Sequence, residues 1–344
     1  MKNPRVLIIY TGGTIGMIND PETGALKPFE FEALYSSIPE LKQFDYELDT
    51  FSVDEPIDSS DMNPELWGNI AQTIFDNYAD YNGFVVLHGT DTMAFTTAAI
   101  SYMLQGLKKP VIFTGSQLPI GQIRTDGKEN LITAIELAGM LDADGDSYIQ
   151  EVALYFEDQL YRGNRVSKTS TFNFEAFKSY NYPLLAKAGT NIKIDHHSLY
   201  RSQKEQVELF KDFNSKIGLV KLFPGMPIQP LQSIFDTANT EGVIIETFGN
   251  GNSFKSIEFE KLIADYMKEG GIVLNITQCA QGNVVLGLYQ TSVHFQDLKV
   301  ISGRDITTES AVSKMMYVFG LTHDRNERIN LLSLDICGEV TMSH

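Results

Sequence analysis

The chain has 344 residues, 43% hydrophobic and 21% charged, which excludes a disordered or fibrous protein and leaves room for two domains of ordinary size. With 27 basic against 44 acidic residues the formal net charge is −17, so the surface repels phosphate backbones and anionic membranes, and neither nucleic acid nor a membrane is an expected partner. Cys279 and Cys337 are the only cysteines, too few and too far apart for a disulfide framework or a zinc ribbon.

The apolar run at 6–10 is too short for a signal-peptide core and leads straight into Thr-Gly-Gly; no stretch approaches the ~18 apolar residues of a membrane span. A cytoplasmic protein is the expectation. Apolar runs at 6–10, 84–87, 111–114 and 152–156, and the more polar segment 46–53, are predicted strands. Between them, 64–78, 92–107 and 128–141 are predicted helices. The first has Leu66, Ile70, Ile74 and Tyr78 at four-residue spacing, after Asn63 as N-cap and Pro64 at the first helical position. Around 191–215 the alternation stops in a polar stretch containing HHSLYRSQKEQ, which predicts an interdomain linker. It resumes with strands at 217–223, 243–248 and 272–276 and helices at 231–238, 259–269 and 308–319. The expected architecture is α/β: a large mostly parallel N-terminal domain over 1–190 and a smaller C-terminal α/β domain over 216–344. Repeats and coiled-coil heptads are absent.

In such sheets ligands bind beyond the carboxyl ends of the strands. Four successive strands here are followed by Thr11-Gly12-Gly13-Thr14-Ile15-Gly16-Met17, by Asp58-Ser59-Ser60-Asp61, by His88-Gly89-Thr90-Asp91-Thr92 and by Gly115-Ser116-Gln117. Hydroxyl-rich loops are common as turns and caps, and Asp91 or Thr92 also reads as the cap of the next helix. The dinucleotide, Walker A and nucleophile-elbow spacings are not met. His88 has no second ligand spaced to join it in holding a metal, and reads as a structural strand-end histidine. A Thr hydroxyl becomes a nucleophile only when a neighbour takes its proton, and glycines beside it let a carbonyl approach backbone N–H groups. Asp91 beside Thr90 suits a Thr–Lys–Asp relay. Lys168, after the strand at 152–156 and the Tyr161–Arg165 loop, is the candidate lysine.

At these residues the chain resembles the bacterial type I (cytoplasmic) L-asparaginases. The resemblance is carried by TGGTIGM at 11–17, DSSDM at 58–62, HGTDTM at 88–93, KPVIFTGSQLP at 109–119, LYRGNRVSK at 160–168 and NITQCAQG at 275–282. It implies hydrolysis of L-asparagine to L-aspartate and ammonia without metal or cofactor, by an enzyme that acts as a homodimer or dimer of dimers. By the same resemblance, Thr14 is the nucleophile and Thr90, Asp91 and Lys168 form the second polar group. Ser59 and Asp91, with Ser60 adjacent, hold the substrate's α-groups. Backbone N–H groups near Thr90 and Ser116 form the oxyanion hole, and Asn252 in FGNGN reaches a neighbouring subunit's site. As readings of the residues alone, a helix cap or tight turn also fits Asn252, and a glutaminase, a tRNA-dependent amidotransferase amidase subunit and a non-catalytic amino-acid sensor remain alternatives.

Two positions depart from the family. Many members carry a Tyr after the TGGTI loop where this chain has Ala25; Tyr35 is the nearest substitute. Some members bind asparagine at an effector site through an Arg at the end of the strand before FGNGN. That place holds Glu246, which offers a carboxylate only acceptors and the wrong charge, so hyperbolic kinetics are expected.

Overall fold

The computed structural model describes residues 3–19, 26–28, 38–287 and 290–342, so Ala25 and Tyr35 lie outside the described residues. The chain divides into two compact units, Met1–Lys211 and Asp212–His344.

The first unit is built on an eight-stranded sheet. Its strands are β1 (Arg5–Gly12), β2 (Glu47–Ile57), β3 (Gly83–Leu87), β4 (Val111–Thr114), β5 (Val152–Phe156), β6 (Gln159–Arg162), β7 (Ala186–Lys187) and β8 (Lys193–Ile194). They lie in the order β8-β7-β6-β5-β4-β3-β1-β2. The five strands β2, β1, β3, β4 and β5 are mutually parallel. Helices α1 (Pro64–Asp76), α2 (Met93–Met103) and α3 (Gly127–Gly139) make the crossovers. Val6, Ile8 and Tyr10 alternate on one face and pack with Leu131, Ala134, Ile135 and Ala138 of α3. Leu7 and Ile9 on the opposite face are equally buried. Burial on both faces explains why β1, β3, β4 and β5 read as continuous apolar runs. Asn63 caps α1 by accepting from the N–H groups of Glu65 and Leu66, as its sequence start predicts.

The sheet is less uniformly parallel than the apolar runs suggest. β6, β7 and β8 extend it with antiparallel pairs. These short strands have too few residues to show a period. Residues 191–211, expected to be linker, belong to the first unit: Lys193–Ile194 is its edge strand, and Glu208–Leu209 pairs with Leu104–Gln105. Their polarity is that of a sheet edge rather than of a free connection.

The second unit carries a four-stranded parallel sheet, β9 (Ile217–Lys221), β10 (Gly242–Thr247), β11 (Ile272–Thr277) and β12 (Ile301–Ser302), in that spatial order. Its helices are α4 (Ile257–Lys268), α5 (Gln290–Asp297), α6 (Thr308–Leu321) and α7 (Arg325–Ser333). Ser256, Thr307 and Asp324 cap α4, α6 and α7 through side-chain oxygens. The helix expected at 231–238 is instead a single 3-10 turn, Gln229–Leu231, followed by turns. There Thr240 donates to the Ile234 carbonyl, Asn239 donates to that of Ser233, and Asp236 accepts from the Ala238 N–H. Side chains that bond the local backbone compete with the helix.

Candidate active site

In the order β2-β1-β3-β4-β5 the chain leaves β1 toward one side of the sheet and β3 toward the other, so the loops after both lie at the carboxyl edge, where α/β sheets bind ligands. Glycine sets how closely the loops meet there. Gly13 sits at φ +86°, and a Cβ on it would come within 2.4 Å of the Gly89 backbone nitrogen. A Cβ on Gly89 would lie 2.6 Å from the Ser59 hydroxyl. No side chain fits at either place, so the loops after β1 and β3 touch through backbone and the Ser59 side chain packs directly against Gly89. Thr14 follows Gly13 directly and opens the 3-10 turn Thr14–Gly16, partly exposed. Gly127, the first residue of α3, lies beside Ser116 and Ile15, which brings the loop after β4 to the same place.

Lys168 reaches this edge from a short ribbon in which Ser167–Lys168 pairs antiparallel with Phe177–Lys178. Its ammonium donates to Thr90 Oγ1 at 2.9 Å and to Asp91 Oδ1 at 2.6 Å. Its side chain is 14% exposed and that of Asp91 63%, so the lysine is shielded while the carboxylate faces solvent. The segment leading to Lys168 is anchored firmly. Arg162 donates through Nε to Glu151 at 2.7 Å and through Nη2 to the Ser198 carbonyl, with its guanidinium over the Tyr182 ring. The Gly163 carbonyl accepts from Thr97 of α2 at 2.7 Å. Since α2 begins directly after Thr90-Asp91-Thr92, this bond ties the lysine's segment to the element that carries its partners.

Thr92 occupies the N-cap position of α2 but makes no cap bond; it donates to the Ser59 carbonyl at 2.5 Å. Asp91 is taken by Lys168. Neither residue caps the helix, and both serve the loop cluster. His88 is fully buried. Its Nδ1 lies 2.7 Å from the Gly89 carbonyl and its Nε2 3.0 Å from the Thr96 hydroxyl, which also accepts from Trp67 Nε1. Burial pushes its pKa down to about 4, so it is a neutral, fully bonded ring under the Gly89 turn. Ser60 is exposed, with its N–H held by Asp58. Ser116 donates to the Leu118 carbonyl at 2.6 Å.

Gln117 lies in the Gly115-Ser116-Gln117 loop, whereas the supporting polar residues Asp126, Asn130 and Thr97 carry no motif of their own. Asp126 accepts from the N–H groups of Gln117 and Leu118. Asn130 donates to the Gly115 carbonyl and accepts from the Glu157 N–H, pinning the loop after β4 to the end of β5. Their only sequence signal is polarity at the start of α3 and inside the apolar α2. Asn252 belongs to the second unit, in the turn after β10, where its N–H donates to the Phe248 carbonyl at 2.8 Å. Among the described residues no set of His, Cys, Asp and Glu could hold a metal ion, and no helix is long and apolar enough to cross a membrane.

The chain is thus a two-unit α/β protein with a hydroxyl–lysine–carboxylate cluster at the carboxyl edge of its larger sheet. Residues 5–200 match the family described as Asparaginase, N-terminal, and residues 216–332 the Glutaminase/Asparaginase C-terminal domain. The chain is 35% identical to L-asparaginase 1 of Escherichia coli strain K12, with 99% of each protein covered. It is 36% identical to a 60 kDa lysophospholipase of Mus musculus, covering 98% of this chain but only 63% of that longer protein. The crystal structure of L-asparaginase I from Vibrio cholerae is similar with a TM-score of 0.88 at 34% identity, covering 99% of this chain and all of that one. The chain belongs to the asparaginase family of amidohydrolases.

Proposed function

We propose that the protein hydrolyses L-asparagine to L-aspartate and ammonia through a covalent intermediate on Thr14. The observation that carries this reading is the Lys168 ammonium, shared between Thr90 at 2.9 Å and Asp91 at 2.6 Å on a loop whose Gly89 is pressed against Gly13.

The Thr14 hydroxyl attacks the side-chain amide carbon. Its proton moves to the departing nitrogen beside the Thr90–Lys168 pair, whose Thr90 oxygen accepts from the attacking hydroxyl, the C–N bond breaks, and ammonia leaves. The ester left on Thr14 is then attacked by water, whose proton returns to the Thr14 oxygen as aspartate is released. Backbone N–H groups near Thr90 and Ser116 hold the oxyanion of each tetrahedral species. The exposed carboxylate of Asp91 receives the substrate's α-ammonium, and Ser59, with Ser60 adjacent, receives its α-carboxylate. The steps need only protein groups, with neither metal nor cofactor. We further propose a cytoplasmic homodimer or dimer of dimers in which Asn252 reaches a neighbouring copy's site.

Ammonia release from purified protein tests the reading, with L-asparagine, L-glutamine and glutaminyl-tRNA precursor offered in parallel. Release from asparagine is expected. Release from glutamine alone makes the protein a glutaminase, and transfer of ammonia to tRNA makes it an amidotransferase subunit. Binding without release makes it a sensor.

A further inference from the structure

The Thr90 hydroxyl has one hydrogen and two lone pairs. Lys168 donates to its oxygen, so the hydrogen points elsewhere. The acceptor facing it is Gln117 Oε1, 3.5 Å away. That amide has a fixed sense, because Gln117 Nε2 donates to the Asn173 carbonyl at 2.9 Å and so turns Oε1 toward Thr90. Its backbone is fixed as well: the Gln117 N–H lies 3.1 and 2.9 Å from the two carboxylate oxygens of Asp126. Asn173 lies in the loop joining the two strands of the Lys168 ribbon. A single side chain therefore links the Thr90 hydroxyl to the loop that follows Lys168.

We propose that Gln117 is a positioning residue for Thr90. It holds the hydroxyl hydrogen away from Lys168, and through Asn173 it braces the ribbon that carries the lysine. With the hydrogen held there, the second lone pair of Thr90 Oγ1 is left to accept from the attacking hydroxyl or water. The 3.5 Å separation suits a contact that tightens when substrate closes the site, since catalytic hydrogen bonds are commonly long before substrate binds. The kinetic consequence rests on the asparaginase reading.

Two variants of similar length separate the two contacts. Gln117→Met removes both; Gln117→Glu keeps an acceptor for Thr90 and loses the donor to Asn173. With L-asparagine, Gln117→Met is expected to lower kcat about 10-fold or more while KM stays within about 2-fold. Gln117→Glu is expected to retain kcat within about 3-fold at neutral pH and to add an acidic limb to the kcat–pH profile as the new carboxylate protonates. Crystal structures of both variants and the wild type provide a readout independent of turnover: in Gln117→Met the Thr90 side chain or the 169–176 loop shifts. A Gln117→Met enzyme with unchanged kcat, a loss confined to KM, or an unmoved Thr90 and loop overturns the proposal. Absence of ammonia release from the wild type would instead sink the asparaginase reading, and the crystal structures would still decide the brace.

Discussion

Both units end parallel strands in polar loops, yet the two carboxyl edges are built in opposite ways. In the second unit the polar groups satisfy one another. The Glu246 carboxylate accepts from the Thr308 hydroxyl at 2.5 Å and lies 3.3 Å from the Lys221 ammonium. Thr247 donates to Asn275 at 2.7 Å, and Asn275 donates to the Gly251 carbonyl. Gln278 donates to the carbonyls of Leu222 and Glu246. In the first unit Thr14 and Thr90 stay partly exposed beside tightly packed glycines, and the charged pair Lys168–Asp91 keeps one member in solvent. A closed network stabilises a strand end; groups that face solvent remain available to a ligand. The same architecture therefore supports a chemical site at one edge and a structural one at the other.

The largest effects are expected at the open edge. Thr14→Ala and Lys168→Met each lower ammonia release by about 1,000-fold or more, with circular dichroism unchanged. Near-wild-type turnover in either variant breaks the comparison at its root. The next effect is on stability. The folded His88 stays neutral down to about 4, whereas a free histidine protonates near 6.5, so the unfolded chain binds more protons between those values. The stabilisation is complete above pH 6.5 and is lost as pH falls toward 4, by roughly 3 kcal/mol for this group. His88→Gln flattens the unfolding free energy over that window; an unchanged slope contradicts the neutral buried ring.

Selectivity gives a further test of the open edge. A site that fixes the α-groups and the amide at one separation misplaces the reacting carbon of glutamine by more than ~1 Å, which costs about 100-fold in kcat/KM. Equal values for the two amides contradict it. The smallest effect belongs to the closed edge. Glu246→Gln keeps kcat and lowers stability by about 1 kcal/mol through the lost Lys221 pair, measured by urea unfolding. The wild-type rate curve in asparagine is expected to be hyperbolic, because Glu246 offers an effector carboxylate no donor; a Hill coefficient clearly above one refutes this, as does asparagine bound against Glu246 outside the Thr14 pocket.

Glycine and hydroxyl loops were legible because they interrupt long apolar strands, whose burial on both faces leaves an unmistakable run at 6–10 or 84–87. The capping of α1 was legible because Asn63-Pro64 is a local signal. The ribbon that presents Lys168 was not, since a two-residue pairing has no period to read. Thr97 was hidden for another reason: inside an apolar helix its sequence does not distinguish a packed methyl from a hydroxyl bonded to Gly163. Gln117 was quoted within a motif, but its role depends on Asn173, 56 residues away, and only folding joins them.

The central claim is that the open edge forms a covalent intermediate on Thr14. Acid-quenched turnover of isotopically labelled asparagine, followed by peptide mapping, tests it directly. The account predicts an aspartyl ester on the peptide that contains Thr14, absent in Thr14→Ala. A labelled ester on Thr90, or the same adduct retained in Thr14→Ala, would contradict it.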